Sequence, residues 1–289
     1  MKLEVHSPQW SRDRLARVQI RQTLGGSLEP SSCAACAWGP RRYHLRLAET
    51  SEEVRAALRL RFEVFNLELC EGVVSSYQTG LDEDSFDAVC DHLIVVEEAQ
   101  GCVVGTYRLQ TARMAARHRG FYSAQEFDLS GWERTGDDMI ELGRACVAKE
   151  HRNLTVLGML WRGIVQYAVA RGGRYLFGCS SLHTRDEKAG AFVYAELCRR
   201  YLAPFPWRAR PHPWCECGLG ALSEAPFPIP RLLRAYLDLG AKICGPPAID
   251  REFGTIDFLT WLDLYALPES LLSRWLSGPE AGSVLQGAA

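Results

Sequence analysis

Lysine is almost missing from this chain: of 33 basic residues, only Lys2, Lys149, Lys188 and Lys242 are lysines. Because 35 acids bring the formal net charge to −2, no global positive field draws the molecule onto nucleic acid or anionic lipid, and any basic dock must be local. Long apolar runs are lacking too. No stretch reaches the eighteen or so consecutive apolar residues of a membrane span, and the N-terminus lacks the apolar region of a secretory signal. The expectation is a cytoplasmic protein that does not cross a bilayer. There is no G-x-S-x-G elbow either, which weakens any reading of Ser180, Ser181, His183 and Asp186 as a hydrolase triad. That cluster is expected to cap a strand and turn toward the next helix.

What is present bounds the fold. At 289 residues and 47% hydrophobic content, the chain can bury one substantial core. Its eleven cysteines would mean disulfides in a small secreted protein, but here Cys102, Cys146 and Cys179 sit in apolar strand-like runs, as small hydrophobes do. Cys33-x-x-Cys36 and Cys215-Glu-Cys217 lie far apart, and the second pair is spaced too tightly for a structural zinc site. No metal is expected.

Residues 1–42 mix Ser, Pro, Gly and Arg without a sustained period and read as a poorly structured leader. From His44 the pattern sharpens into a strand, a helix from a capping start at Ser51 to about Leu69, and an ordered acidic loop over Glu71–Val89. Strands His92–Val96, Cys102–Thr111 and Met139–Val147 follow, then helix Leu154–Arg171, strand Tyr175–Ser181 and helix Gly190–Tyr201. The expected division is leader 1–42, core 43–205, and a C-terminal extension 206–289 packed on the core. That extension holds amphipathic segments at Arg231–Leu239 and Pro268–Leu276, and the stripe Leu232, Leu233, Tyr236 and Leu237 reads as packing rather than a membrane foot.

Within Met139-Ile-Glu-Leu-Gly-Arg-Ala-Cys-Val147, Glu141 and Arg144 interrupt an otherwise buried strand. Such charges need partners or a job. Three residues apart on a regular strand, they would face opposite sides of the sheet. Upstream, Asp84-Ser-Phe-Asp87 supplies two carboxylates, and Arg61 precedes Phe65 by four residues on a helix face. A glutamate in this setting could take a proton from an attacking amine; burial would raise its pKa and a nearby arginine would lower it. The sequence leaves that balance open.

The ordered set Arg61/Phe65, Asp84/Asp87, Cys90-Asp-His-Leu-Ile-Val95, Gly105-Thr-Tyr-Arg108 and Glu141/Arg144, over roughly residues 44 to 265, resembles the N-acyl-amino-acid synthases. These include the ornithine–acyl-carrier-protein N-acyltransferases of ornithine-lipid synthesis; more distantly, the set resembles the acyl-homoserine-lactone synthases. The resemblance implies a GNAT-like α/β fold: a mixed, mostly antiparallel central sheet flanked by helices and split around a donor groove. It implies catalytic roles for Glu141 and Arg144, an amino-acid pocket shaped by Arg61, Phe65, Asp84, Asp87 and Arg108, and an acyl and pantetheine path past Val147, Cys179, Ser180 and Ser181. An arginine fork can hold an α-carboxylate and an aspartate a side-chain ammonium; the same charges could instead form an internal network that pins a lid.

The usual coenzyme A loop of that superfamily needs glycines that Arg152-Asn-Leu-Thr-Val-Leu157 lacks. The donor expected is therefore a 4'-phosphopantetheine thioester on an acyl carrier protein, with no separate cofactor. Carrier proteins are acidic, and the basic candidates are Arg113–Arg119, with Arg117, His118 and Arg119, and the cluster Arg199, Arg200, Arg208 and Arg210. The expected reaction is transfer of a 3-hydroxyacyl or fatty acyl group to the α-amine of an amino acid, preferably ornithine. Its amphiphilic product implies peripheral contact with the inner membrane. A lactone-forming signal synthase and a non-catalytic carrier-protein or membrane-binding module are the rival readings.

Overall fold

A computed structural model describes residues 41–132, 138–223 and 226–277. All but the last two residues of the expected leader, with Cys33 and Cys36, lie outside the described residues. Besides a two-stranded ribbon of Phe127–Asp128 with Arg210–Pro211, the strands are β1 (Tyr43–Leu47), β2 (Asp91–Glu97), β3 (Cys102–Thr111), β4 (Met139–Val147), β5 (Tyr175–Leu182), β6 (Lys242–Ile243), β7 (Ala248–Asp250) and β8 (Thr255–Asp263). They form one sheet in the order β1-β2-β3-β4-β5-β8-β6, with β7 paired to β8. Only β4 and β5 run parallel. The expected mixed, mostly antiparallel sheet is what forms.

Helix α1 (Ser51–Phe62) starts on a capping box one residue earlier than the sequence suggests: the Thr50 side chain accepts from the Glu53 amide, and Glu53 accepts from the Thr50 amide. It runs into a π-helical stretch, Glu63–Glu68. The other long helices are α2 (Leu154–Ala170), α3 (Glu187–Tyr201), α4 (Arg231–Asp238) and α5 (Glu269–Leu276).

Strand alternation divides the core. Leu93, Val95, Tyr107, Leu109, Ile140 and Leu176 pack beneath α2 through Val156, Leu160 and Ile164, and Leu182, Ile256 and Phe258 meet α3 and α4 through Val193, Leu197, Leu233 and Leu237. On the opposite face, Met139, Phe177, Leu259 and Trp261 meet Trp132 and Trp207, while α1 and the π-helical stretch after it lay Leu60 and Val64 on Cys146. Leu233 and Leu237 are thus core residues, as their stripe suggests.

The division at residue 205 does not match the sheet. Strand β8 pairs with β5 along its whole length, from Ile256↔Leu182 to Asp263↔Tyr175, so residues 206–277 complete the sheet from within instead of packing on a finished core.

Strands β4 and β5 are in register for only three pairs, Met139↔Tyr175, Ile140↔Leu176 and Glu141↔Phe177. Past Glu141 they part. Gly178 marks the fork: a Cβ there would lie 2.1 Å from the Leu142 carbonyl oxygen, so only glycine lets the two strands meet where they begin to diverge. The wedge between them is the foundation of the site.

Candidate active site

Strand β4 carries a bulge that the sequence does not announce. Thr106 faces Cys146 but Arg108 faces Gly143, so Tyr107 opposes both Arg144 and Ala145. Arg144 takes φ 51°, a left-handed conformation that costs a non-glycine residue about 1–2 kcal/mol. The extra residue resets the alternation. Arg144 therefore emerges on the same face as Glu141, not the opposite one: its guanidinium lies 4.9 Å from the Tyr122 ring centroid and 4.2 Å from that of Phe253, and the Tyr122 amide donates to Glu141.

Glu141 is only 5% exposed and accepts three hydrogen bonds: Tyr122 N–H to Oε2 at 2.7 Å, Ser123 N–H to Oε1 at 2.7 Å and Ser123 Oγ–H to Oε1 at 2.5 Å. Burial raises its pKa, opposed by the Ser123 hydroxyl, the two amides and Arg108. Burial wins, which moves the carboxylate toward the range of a useful general base. With three of about four lone-pair sites occupied, one remains for an incoming proton.

Next to it lies a network of three arginines and three aspartates. Arg61, 1% exposed, binds Asp82 at 2.5 Å and Asp87 at 2.6 Å. Arg108 binds Asp84 at 2.6 Å and Asp87 at 3.0 Å, and Arg144 binds Asp84 at 2.9 Å and reaches to 3.4 Å from Asp82. Burial alone would raise the carboxyls of Asp84 and Asp87. Arg108 and Arg144 outweigh it at Asp84, and Arg61 and Arg108 at Asp87, holding both below the ordinary range. His92 closes the network with Nε2 3.1 Å from the Asp87 carbonyl. Asp82 escapes a sequence reading because it sits in a loop rich in acids.

A cavity of about 170 Å³ opens between the diverging strands. It brings together Phe65, Arg108, Glu141, Arg144, Cys179, Ser180 and Ser181. Arg61, Asp84 and Asp87, expected to shape the amino-acid pocket, do not line it: Arg61 is spent on Asp82 and Asp87, and Asp84 on Arg108 and Arg144. Val147, expected on the acyl path, is not at the wall; it lies beyond the bulge, opposite Gly105, against the core beneath α2. At one end of the cavity Leu142, Trp161, Leu176, Leu232, Leu233 and Leu262 make an apolar lining. At the other, Asp250 and Asp257 line it beside Cys179. These acids, with Glu126, Tyr122 and Ser123, were missed from sequence.

The serine cluster is not a triad. Ser180 Oγ lies 3.2 Å from Thr260 Oγ1, Asp186 caps α3 through the Lys188 amide, and His183 pairs with Glu71 at 2.8 Å at the cavity wall. Burial among acids pushes the Cys179 thiol well above its ordinary pKa, so it is no ready nucleophile. Cys215 and Cys217 pack in separate clusters.

At the start of α2, the Asn153 side chain accepts from the Val156 amide at 3.0 Å. Arg152 is held by the Glu68 carboxylate at 2.5 and 2.6 Å and by the Val147 carbonyl. The helix N-terminus is capped by the chain itself. No helix among the described residues is long and apolar enough to cross a membrane.

The acetyltransferase (GNAT) domain family model matches residues 60–162, the span that carries the buried glutamate at the fork of the sheet. The chain is 34% identical to the L-ornithine N(alpha)-acyltransferase of Rhodobacter capsulatus over 81% of its own length and 94% of the relative's. It is 35% identical to that of Brucella abortus over 82% and 89%. It belongs to the L-ornithine N(alpha)-acyltransferase family of GNAT acyltransferases. Among solved structures, an N-acyl amino acid synthase from uncultured soil microbes superposes with a TM-score of 0.48 at 12% identity, covering 78% of this chain and 92% of that one.

Proposed function

We propose that this enzyme transfers a long acyl chain from an acyl carrier protein to the α-amine of ornithine, giving an N-acyl amino acid of the lyso-ornithine-lipid type. The observation that carries the reading is Glu141, buried at the fork of β4 and β5 with one lone-pair site to spare. An amine arrives as an ammonium and attacks only when neutral, so it needs a proton acceptor at that point. Glu141 takes one proton directly or through water, the neutral nitrogen attacks the thioester carbonyl, and as the C–S bond breaks the second nitrogen proton passes to the departing sulfur, so that a thiol leaves on its pantetheine arm. Arg144 and Arg108, at the wall of the cavity, lend positive charge to the developing oxyanion.

The donor assignment rests on chemistry at three places. The diverging strand edges suit an extended arm with its own amides, as a pantetheine has. The apolar end lined by Leu142, Trp161, Leu176 and Leu262 suits an alkyl chain. The α2 N-terminus, which would meet the pyrophosphate of free coenzyme A, is already capped, and its arginine is paired with Glu68. A carrier-borne arm reaches the fork without that contact. Arg117, His118 and Arg119, and separately Arg199, Arg200 and Arg210, are exposed and supply basic ground for an acidic carrier. The acceptor assignment comes from the relatives' names. The amphiphilic product leads to a peripheral encounter with the inner membrane.

The test is reconstitution of purified protein with 3-hydroxyacyl carrier protein and a panel of amino acids, read by mass spectrometry. Ornithine should give the amide, and Glu141→Gln should lower turnover by about 10²–10⁴-fold with an unchanged circular dichroism spectrum. Wild-type turnover matched by Glu141→Gln would remove the base from the mechanism, whereas a wild-type protein that forms no amide with any amine while the thioester stays bound would leave a carrier-binding module as the better reading.

A further inference from the structure

Beyond the base and the arginines, the cavity has an acidic end to which the reaction as described gives no task. Asp257, on β8, is 4% exposed and lines the cavity, yet its Oδ1 accepts no hydrogen bond. Glu126, 6% exposed, stands with it: the ligand atoms of Glu126, Cys179 and Asp257 lie within 4.8 Å of one another. Asp250, from β7, lines the same end. None of the three acids joins an ion pair among the described residues. Asp250 is only partly buried and its Oδ1 already accepts from the Glu252 and Phe253 amides, but Glu126 and Asp257 are buried with no paired cation and only the more distant field of Arg144 to offset them, a costly arrangement that a cationic ligand would relieve.

We propose that Asp257, with Glu126 and Asp250, is the subsite that holds the side-chain ammonium of a basic α-amino acid while its α-amine lies at Glu141. The inference rests on the N-acyltransferase reading above and adds the acceptor's selectivity to it. Reach agrees. Ser123 Oγ is 2.5 Å from the Glu141 carboxylate and 3.5 Å from Cys179 Sγ, so the base and the acid cluster stand little more than one side chain apart. Five bonds of an extended diamino acid separate its two nitrogens by about 6 Å. The chemistry agrees as well. An ammonium offers three donors and asks for oxygen acceptors, and the orphaned Asp257 oxygen with the Glu126 carboxylate answers that geometry. Burial, and after it Glu126 and Asp257, raises the Cys179 thiol well above its ordinary range, so oxygen atoms are the charged acceptors of this cluster.

The aspartates expected to fill this role, Asp84 and Asp87, are already bound to Arg61, Arg108 and Arg144. The selectivity therefore shifts from the loop before β2 to the segment after residue 205. The apolar neighbour Leu259 and the Trp207–Trp261 stack back the β8 strand and fix Asp257 in place.

The experiment compares L-ornithine with L-norvaline, the same skeleton without the terminal amine, using the full-length enzyme and 3-hydroxyacyl carrier protein. The readout is the ratio of the two kcat/KM values in wild type, Asp257→Asn and Glu126→Gln. In Asp257→Asn the ratio should fall about a hundredfold, carried by the KM for ornithine, as loss of a charged hydrogen bond implies. Glu126→Gln should lower it less, and it carries the test alone if Asp257→Asn fails to fold. A ratio within about twofold of wild type in both variants, or an equal loss on both substrates, overturns the subsite. Wild-type enzyme that acylates neither compound overturns the acceptor reading itself, a different outcome.

Discussion

Two buried charge clusters flank Glu141. On one side Arg61, Arg108 and Arg144 meet Asp82, Asp84 and Asp87 in ion pairs of 2.5 to 3.4 Å. On the other, Glu126, Asp250 and Asp257 meet no ion-pair partner among the described residues, and the carboxyl of Asp257 is pushed up to about 6 by burial and by Asp250. Both clusters are held in low dielectric, where charge balance decides the cost. The balanced one is scaffold: it ties the loop between α1 and β2 to β3 and the β4 bulge, and holds Arg144 in its left-handed turn. The unbalanced one is poised for a cation it does not itself contain.

The sharpest way to break this comparison is to unbalance the balanced cluster. Arg61→Ala strips Asp82 and Asp87 of their closest cation and should destabilise the fold by about 3–5 kcal/mol, since the abandoned carboxylates stay buried. Chemical denaturation of the variant should show a large drop in the midpoint, with a matching fall in soluble yield. A loss under about 1 kcal/mol would mean that water reaches the cluster and that its pairs behave like surface ones.

The same contrast explains what was readable in the sequence. Element order and type from β1 to α3 followed from period and turn chemistry, because each element's apolar face is written in adjacent residues. The charges of the ordered set were visible as violations of those faces. Their division into a lining group and a walled-off group was not, because the β4 bulge and the fork at Gly178 depend on which strands meet across the sheet. Asp257 gave the same kind of signal as Glu141, a lone carboxylate in the apolar run Thr255-Ile-Asp-Phe-Leu-Thr-Trp-Leu. It lay in a segment set aside as an extension, so its strand went unread. Glu126, Tyr122 and Ser123 sit in a short irregular stretch where nothing local marks a site.

The two clusters should also answer pH with opposite signs. Asp87 is held below its unfolded value by Arg61 and Arg108 against burial, so its contribution is present at neutral pH and is lost as pH falls through the acid range. Asp257 is raised, chiefly by burial and Asp250, with Arg144 pulling the other way; Glu126 is raised for the same first reason. A raised carboxyl favours the folded state while protonated, and that contribution is lost as pH rises through about 6. Asp257→Asn should therefore match or exceed wild type in thermal stability at pH 7.5, and the difference should shrink toward pH 5 as the wild-type carboxyl protonates. Differential scanning fluorimetry across that range reads the effect. Glu126, Asp250, Cys179 and Arg144 face Asp257 from other elements; because Asp257 itself helps to raise Glu126, the difference curve reads the two acids as a pair. A deficit in Asp257→Asn at pH 7.5 would place the residue with the scaffold instead.

The smallest effect separates pairing from burial. His183 and Glu71 form an ion pair at 2.8 Å at the cavity wall, but the histidine side chain is 49% exposed. Glu71 raises the His183 pKa against the opposing pull of burial. For a raised histidine the stabilisation is complete below its unfolded value and disappears as pH climbs through the folded one. Solvent screens half of this pair, so His183→Ala should cost no more than about 1 kcal/mol near pH 6 and almost nothing by pH 9. Urea midpoints at the two pH values give the difference directly. A cost at pH 6 as large as that of Arg61→Ala would show that pairing alone, without burial, carries the energy of this site, and the contrast between the two clusters flanking Glu141 would lose its physical basis.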